Sequence, residues 1–279
     1  MSPEPGFFSG TIKLSKYGGF IIMQTFTTKT IREIALESPQ TTRVFEEFKI
    51  DYCCGGRKPF AEACKTAGID PRMLTQRLEM ALAGDRMTVD AELPERKKPS
   101  DLIDYIVTKH HIFTRTEIGR LNELMEKVCR KHGDQHEKLF EVRRIFTELG
   151  DDMLLHMRKE EAVLFPFIKQ LEMAAAGQFA AFPAPFGSVQ NPVRMMMQEH
   201  DIAAGHLRQI RDLTSEYTLP AEACPSFKAL YSGLQDLEKD LHRHVHLENN
   251  VLFEQAIDLE TNVFGDSVAA ASACCGSHN

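Results

Sequence analysis

The chain carries one helical phrase twice. His156-Met157-Arg158-Lys159-Glu160 runs into Val163-Leu164-Phe165, and His244-Val245-His246-Leu247-Glu248 runs into Val251-Leu252-Phe253, 88 residues further on. Each copy has an Asp one turn upstream, Asp152 and Asp240. A further His precedes each: His111 lies 45 residues before His156, and His200 lies 44 before His244. On an α-helix, residues i and i+4 share a face. Each His-x3-Glu phrase therefore presents an imidazole and a carboxylate together. Two such helices and two single-His helices supply four imidazoles and two carboxylates, embedded among Leu154, Leu155, Phe167, Leu241, Val245 and Leu252. Two helix pairs facing a shared metal centre account for this pattern. Bundle cores build di-metal sites from inward side chains of four helices. Imidazole suits iron, zinc and copper, while carboxylates favour harder ions and can bridge two of them.

Length and composition set the frame. At 279 residues the chain can bury one large or two modest cores. It is 43% hydrophobic and 26% charged, ordinary for a soluble globular protein. A net charge of −7 argues against generic nucleic-acid binding. No apolar run reaches membrane-spanning length, and Phe20 to Met23 is too short for the core of a signal peptide. Seven scattered cysteines with no export signal favour a reducing cytoplasm over a disulfide framework.

The apolar spacing is helical throughout, with no sustained period-two alternation. Residues 1–26 read as a disordered extension, with Met23 as an alternative start. Residues 27–86 read as a small helical unit. Thr30 opens a helix over 31–37 that Pro39 stops, and Thr41 or Thr42 opens another over 44–48. Pro59 starts a third, and Asp70-Pro71 caps a fourth that runs to about Ala83. Residues 87–99 form a linker. Residues 100–260 form a four-helix bundle, with long helices ending near Lys131 and Ala176, then a third over 193–217 and a fourth from Pro225 to about Leu259. A crossover loop occupies 180–192, and 261–279 read as a disordered tail. The fold class is all-α, a four-helix bundle preceded by a small helical domain.

Other residues carry chemistry of their own. Cys53 and Cys54, followed by Gly55 and Gly56, suit redox thiols, a strained vicinal disulfide or a tight turn of two small residues. Arg57 and Lys58 stand where they could stabilise a thiolate. Cys274-Cys275 echoes the motif in the tail. Asp152, Asp240 and Glu199 are candidates for orienting the ligating imidazoles or lining an access channel. His110 competes with His111 as the first-helix ligand. His242 and His246 lie about 200° around the helix from His244 and read as surface residues, as do His132, His136 and His206. Met195, Met196 and Met197 read as core filling.

With Asp51-Tyr52-Cys53-Cys54-Gly55-Gly56 ahead of the two His-x3-Glu phrases, the chain resembles the Repair of Iron Centers family over about residues 24 to 260. These are iron–sulfur cluster repair proteins with a hemerythrin-like bundle. The resemblance implies a non-haem di-iron centre, oxo- and carboxylate-bridged. His111, His156, His200 and His244 would be terminal ligands, and Glu160 and Glu248 would bridge. Chain order suggests His156 with His200 on one iron and His111 with His244 on the other. Family members can carry a second His just after the first-helix ligand; here Ile112-Phe113-Thr114-Arg115 stand instead. The implied function is repair of clusters damaged by nitric oxide or peroxide, by supplying iron to damaged iron–sulfur proteins or scaffold proteins. Alternatives are nitric oxide reduction at the di-iron centre and hemerythrin-like binding or sensing of dioxygen or nitric oxide. The family is cytoplasmic, some members dimerise, and neither nucleic acid nor membrane is an expected partner.

Overall fold

A computed structural model describes residues 26–85, 94–178 and 184–265. Residues 1–25 of the expected extension and the cysteine pair at 274–275 lie outside them, as does most of the expected tail; Phe26, expected at the end of that extension, is instead buried in the N-terminal core, stacked on Phe60. The fold is all-α, and among the described residues only two isolated bridges interrupt the helical pattern, Thr30 with Pro59 and Ala184 with Gly187.

The N-terminal unit comprises α1 (Ile31–Ala35), α2 (Pro39–Glu47), α3 (Phe60–Ala67) and α4 (Pro71–Asp85). Thr30 caps α1 in a reciprocal capping box with Glu33. Pro39 does not merely stop α1. It is the first residue of α2, where its missing N–H costs nothing, and Ser38 is the cap, accepting from the Gln40 amide. Asp70 Oδ1 accepts from the Arg72 amide at 2.9 Å and opens α4. Ile31, Ile34, Phe45, Phe60, Leu74 and Leu78 form the core of this unit.

The bundle follows a 3-10 turn at Pro94–Arg96. Its first helix is α5 (Pro99–Ile106) continued by α6 (Ile112–His132), and its second is α7 (Lys138–Lys159) continued by α8 (Phe165–Ala175). The third is α9 (Gln190–Leu213), and the fourth is α10 (Pro225–Leu247) continued by α11 (Phe253–Phe264). The fourth helix thus outruns its expected end, placing 261–264 in helix rather than tail. The third starts three residues earlier than its spacing suggested, because Ser188 Oγ accepts from the Gln190 amide. It also ends earlier, because Ser215, Glu216 and Tyr217 have φ of 50, 60 and 57°, a left-handed turn that cannot continue a right-handed helix.

Three of these helices widen where sequence periodicity suggested none. π turns occupy Val107–His111, Glu160–Leu164 and Glu248–Leu252. In each, an amide reaches back five residues: Ile112 to Val107, Phe165 to Glu160, and Phe253 to Glu248. Pro166, which has no N–H to give, accounts for relief of the ladder only in the second. Common to all three is a candidate ligand at the edge of the widened turn, a placement typical of π insertions at functional sites.

α9 lies against α7, α10 against α6, and α11 against α8. Two apolar layers result. One holds Leu121, Phe146, Leu207 and Phe227, and the other Ile106, Leu164, Val193 and Leu252. The polar candidate residues lie between them.

The N-terminal unit docks on the third π turn. Arg32 donates from Nε and Nη2 to the Asn250 carbonyl at 3.0 and 2.8 Å. Asn250 Nδ2 donates to the carbonyls of Tyr52 and Cys53, both at 3.2 Å. A Cβ on Gly56 would stand 2.8 Å from the Tyr52 carbonyl oxygen and 3.1 Å from Asn250 Oδ1. This gives the second glycine of the motif a packing reason. Gly56→Ala should therefore cost about 1–3 kcal/mol, read as a lowered midpoint in thermal or denaturant unfolding. An unchanged midpoint would mean that the loop does not dock this tightly.

Candidate metal centre

Six side chains converge between the apolar layers, each no more than 1% exposed: His111, His156, Glu160, His200, His244 and Glu248. They form two overlapping sets that share both carboxylates. One is His111, His244, Glu160 and Glu248; the other is His156, His200, Glu160 and Glu248. In the first, the two Nε2 atoms are 3.1 Å apart, and His244 Nε2 is 2.8 Å from Glu248 Oε1. In the second, the Nε2 atoms are 3.0 Å apart. Glu160 Oε2 faces both sets, at 3.5 Å from His111 Nε2 and 3.3 Å from His156 Nε2. Glu248 turns Oε1 to the first set and Oε2 to the second, the latter 3.2 Å from His200 Nε2.

The outer nitrogens fix the tautomers. His156 Nδ1 meets Glu199 Oε2 at 2.9 Å, and His200 Nδ1 meets Asn249 Oδ1 at 2.9 Å. His111 Nδ1 meets Glu161 Oε1 at 2.6 Å, and Arg115 Nη2 holds that same oxygen at 2.7 Å. Lys159 holds Glu199. An imidazole that donates Nδ1–H keeps a lone pair on Nε2, so within each set lone pairs and carboxylate oxygens crowd one point. Neither oxygen of Glu160 finds a hydrogen-bond donor. Acceptors gathered without donors are the arrangement a cation resolves, so the residues present fit a metal. His Nε2 and carboxylate oxygen together suit iron, manganese or zinc.

The electrostatics carry the same demand for positive charge. Burial opposes a charge on His156, yet Glu160, Glu248 and Glu199 lift its pKa to about 9, so without a cation a proton takes the place on Nε2 that a metal would fill. Burial likewise works against ionised Glu248, but His244, His111 and His200 hold it well below the usual carboxylate range. His244 is driven down to about 3 by burial. It stays a neutral donor.

The phenylalanines of the two phrases serve the imidazoles of the single-His helices. Phe165 stacks on His111 at 5.7 Å between centroids, and Phe253 stacks on His200 at 6.1 Å. This gives the repeated Phe a role beside the polar residues.

Other residues land differently. His110 stays outside the cluster, with Nδ1 3.0 Å from Asp240 Oδ1 and its ring stacked on His244. Asp240 thus orients His110 rather than a member of the six. Asp152 is exposed. His242 and His246 are not surface residues, because the N-terminal unit covers their face. His242 Nδ1 meets Glu46 at 2.9 Å, and His246 is fully buried beneath Tyr52. His132 is buried as well, while Met195 is half-exposed and only Met196 fills core. Cys53 and Cys54 are free thiols with sulfurs 3.9 Å apart. The Cys54 sulfur, burial and Asp51 push the Cys53 thiol well up. Arg57 does not support a thiolate, since it pairs with Glu254 at 2.7 Å.

Asn249 and Glu161 were missed from sequence, although the repeat contains a signal for both. Each directly follows the Glu of its phrase, and each accepts from a buried imidazole.

An all-α bundle with a buried four-His, two-Glu box defines a hemerythrin-type cation-binding protein, and comparison agrees. Residues 102–256 match the hemerythrin HHE cation binding domain, and residues 27–82 match the ScdA N-terminal domain of unknown function. The iron–sulfur cluster repair protein YtfE of Musicola paradisiaca is 35% identical over 237 residues, covering 83% of this chain and 97% of that protein. A probable iron–sulfur cluster repair protein of Haemophilus influenzae is 33% identical over 243 residues, covering 84% and 99%. YtfE of Dickeya chrysanthemi is 32% identical over 234 residues, covering 83% and 98%. The chain belongs to the Repair of Iron Centers family of iron–sulfur cluster repair proteins. No described helix is long and apolar enough to cross a membrane.

Partners that orient ligating imidazoles typically change metal affinity about 10- to 100-fold when removed. Asn249→Ala should therefore loosen cation retention by at least about tenfold, measured by competition against a chelator. Retention equal to the parent chain would remove Asn249 from the set that orients the site.

Proposed function

We propose that the chain holds two iron ions in this box and repairs iron–sulfur clusters damaged by nitrosative or oxidative stress by supplying iron to them. The observation that carries the reading is the pair of overlapping four-residue sets sharing Glu160 and Glu248. His111 and His244 would hold one ion and His156 and His200 the other, with Glu160 and Glu248 available to both. When bound, the iron pair supplies a redox-active, exchangeable metal store. The chain's own residues do the rest. Glu161, Glu199 and Asn249 orient the imidazoles, Phe165 and Phe253 wall two of them, and the apolar layers exclude water. The clients are damaged iron–sulfur proteins, as the names of the relatives indicate for those proteins.

The Cys53–Cys54 pair takes part as the approach to the store. A gap of about 10 Å³, lined by both cysteines, Met153, His200 and Leu241, separates the thiols from the box. That is about the smallest space that holds one water, so passage of iron requires the side chains around it to move. A second reading follows from the donor count. Four protein donors on each ion leave room for a small diatomic, which favours nitric oxide or dioxygen binding at the same box.

The test uses protein loaded with labelled iron, scored first for two irons per chain. It is then incubated anaerobically with a nitrosylated cluster enzyme and reductant. Label should move into the recovered cluster, and Glu160→Ala should lower both iron content and recovery. Recovery with the label retained in this chain would overturn supply. Multiple-turnover nitrous oxide formation would replace it with the second reading.

A further inference from the structure

The bundle end remote from the metal box contains a second set of reactive groups. Cys224 occupies the N-cap position of α10, a helix of 23 residues. Its sulfur is 3.2 Å from Nε2 of His132, the last residue of α6. His132 is only 6% exposed and packs on Phe227 at 5.3 Å between ring centroids, so the imidazole is held on the sulfur. Cys224 itself is half-buried and open to small molecules. Twenty-one residues separate His132 from His111 and twenty separate Cys224 from His244, about 30 Å at 1.5 Å per residue. Nothing in the handling of iron at the box uses it.

We propose that Cys224 and His132 form a thiolate–imidazolium dyad, a peroxide-reactive site separate from the metal box. A cysteine beside a protonated histidine and at a helix N-terminus is held as the thiolate, the nucleophilic form. The Phe227 and Ser226 amides and Lys131 hold the Cys224 thiol below its ordinary range, with burial opposing. The charged groups around the pair are few. Lys131 and His132 come from α6, His136 from the following turn, and Glu222 from the loop before α10. Glu222 is engaged by His136 Nε2 at 2.8 Å, and its carboxylate also feels the charge of His132.

The reaction with a hydroperoxide balances on these two residues. The thiolate attacks one peroxide oxygen, a sulfur–oxygen bond forms and the oxygen–oxygen bond breaks. Sulfur loses two electrons to the peroxide. The leaving hydroxide or alkoxide takes the proton from His132, giving a sulfenic acid, water or an alcohol, and neutral imidazole. Cys129 points elsewhere, its sulfur on the Leu139 carbonyl oxygen at 3.5 Å. A small external thiol would return the sulfenic acid to the thiol.

The experiment uses the iron-loaded full chain. Alkylation of Cys224 by iodoacetamide is followed across pH by peptide mass spectrometry, with buried Cys64 and Cys129 as internal references. The midpoint should fall below the roughly 8.5 of a free cysteine and rise in His132→Asn. Equimolar hydrogen peroxide should add one oxygen to the Cys224 peptide, trapped by dimedone, at least about tenfold faster than to either reference. The parent-chain titration stands even if His132→Asn does not fold. A midpoint at the free-cysteine value, or peroxide oxidation no faster than at Cys64 and Cys129, would overturn the proposal.

Discussion

Two carboxylates buried in the middle of a helical bundle set the terms for everything else. Ionised groups taken out of water are costly unless paired, and here Glu160 and Glu248 have no exposed surface at all. Three of the four imidazoles, His111, His156 and His200, direct their outer nitrogen to an acceptor outside the box. The rest follows from accommodating that demand. Apolar layers above and below keep water out, outer carboxylates and Asn249 hold the rings, and three helices open by one residue where the ligands enter.

The bundle was legible in the sequence because the repeat encodes both its halves. His-x3-Glu fixes a face, and the recurrent Leu and Phe, buried in both copies, fix its packing, while Val163 is exposed. The pairing of His111 with His244 and of His156 with His200 is the arrangement chain order suggested. What sequence could not supply were effects of contact between distant segments. His242 and His246 look solvent-facing on an isolated helix and are covered only because α2 and the cysteine loop lie over them. His132 is buried by Phe227, 95 residues away. The π turns escaped for a different reason. A one-residue widening leaves i, i+4 spacing intact on either side, so no periodicity count registers it. Asp152 is exposed while Asp240, at the same place in the repeat, is partly buried against His110, a difference set by the neighbouring helix and not by the spacing.

The N-terminal unit is fastened to the metal-bearing part rather than merely tethered to it. Asn249 and Asn250 are neighbours on one widened turn. The first accepts from His200, and both donate amide hydrogens to the cysteine loop, at 3.2 to 3.4 Å. Glu248 begins the same turn. A change in the loop's backbone is therefore felt within one residue of a candidate bridging carboxylate and at the outer nitrogen of a candidate ligand. The two domains matched separately by comparison thus behave as one mechanical object.

A box whose six side chains show almost no surface separates how tightly an ion is held from how quickly it leaves. Scavenging agents in bulk solution cannot touch the ion while the helices are closed. Exchange must then proceed at the frequency with which the bundle opens locally, on timescales of about microseconds to seconds, and the concentration of a competing chelator should cease to matter once it is high. A cation enclosed this way can be bound with modest affinity and still leave slowly, its release governed by a gate in time rather than by a contest of affinities.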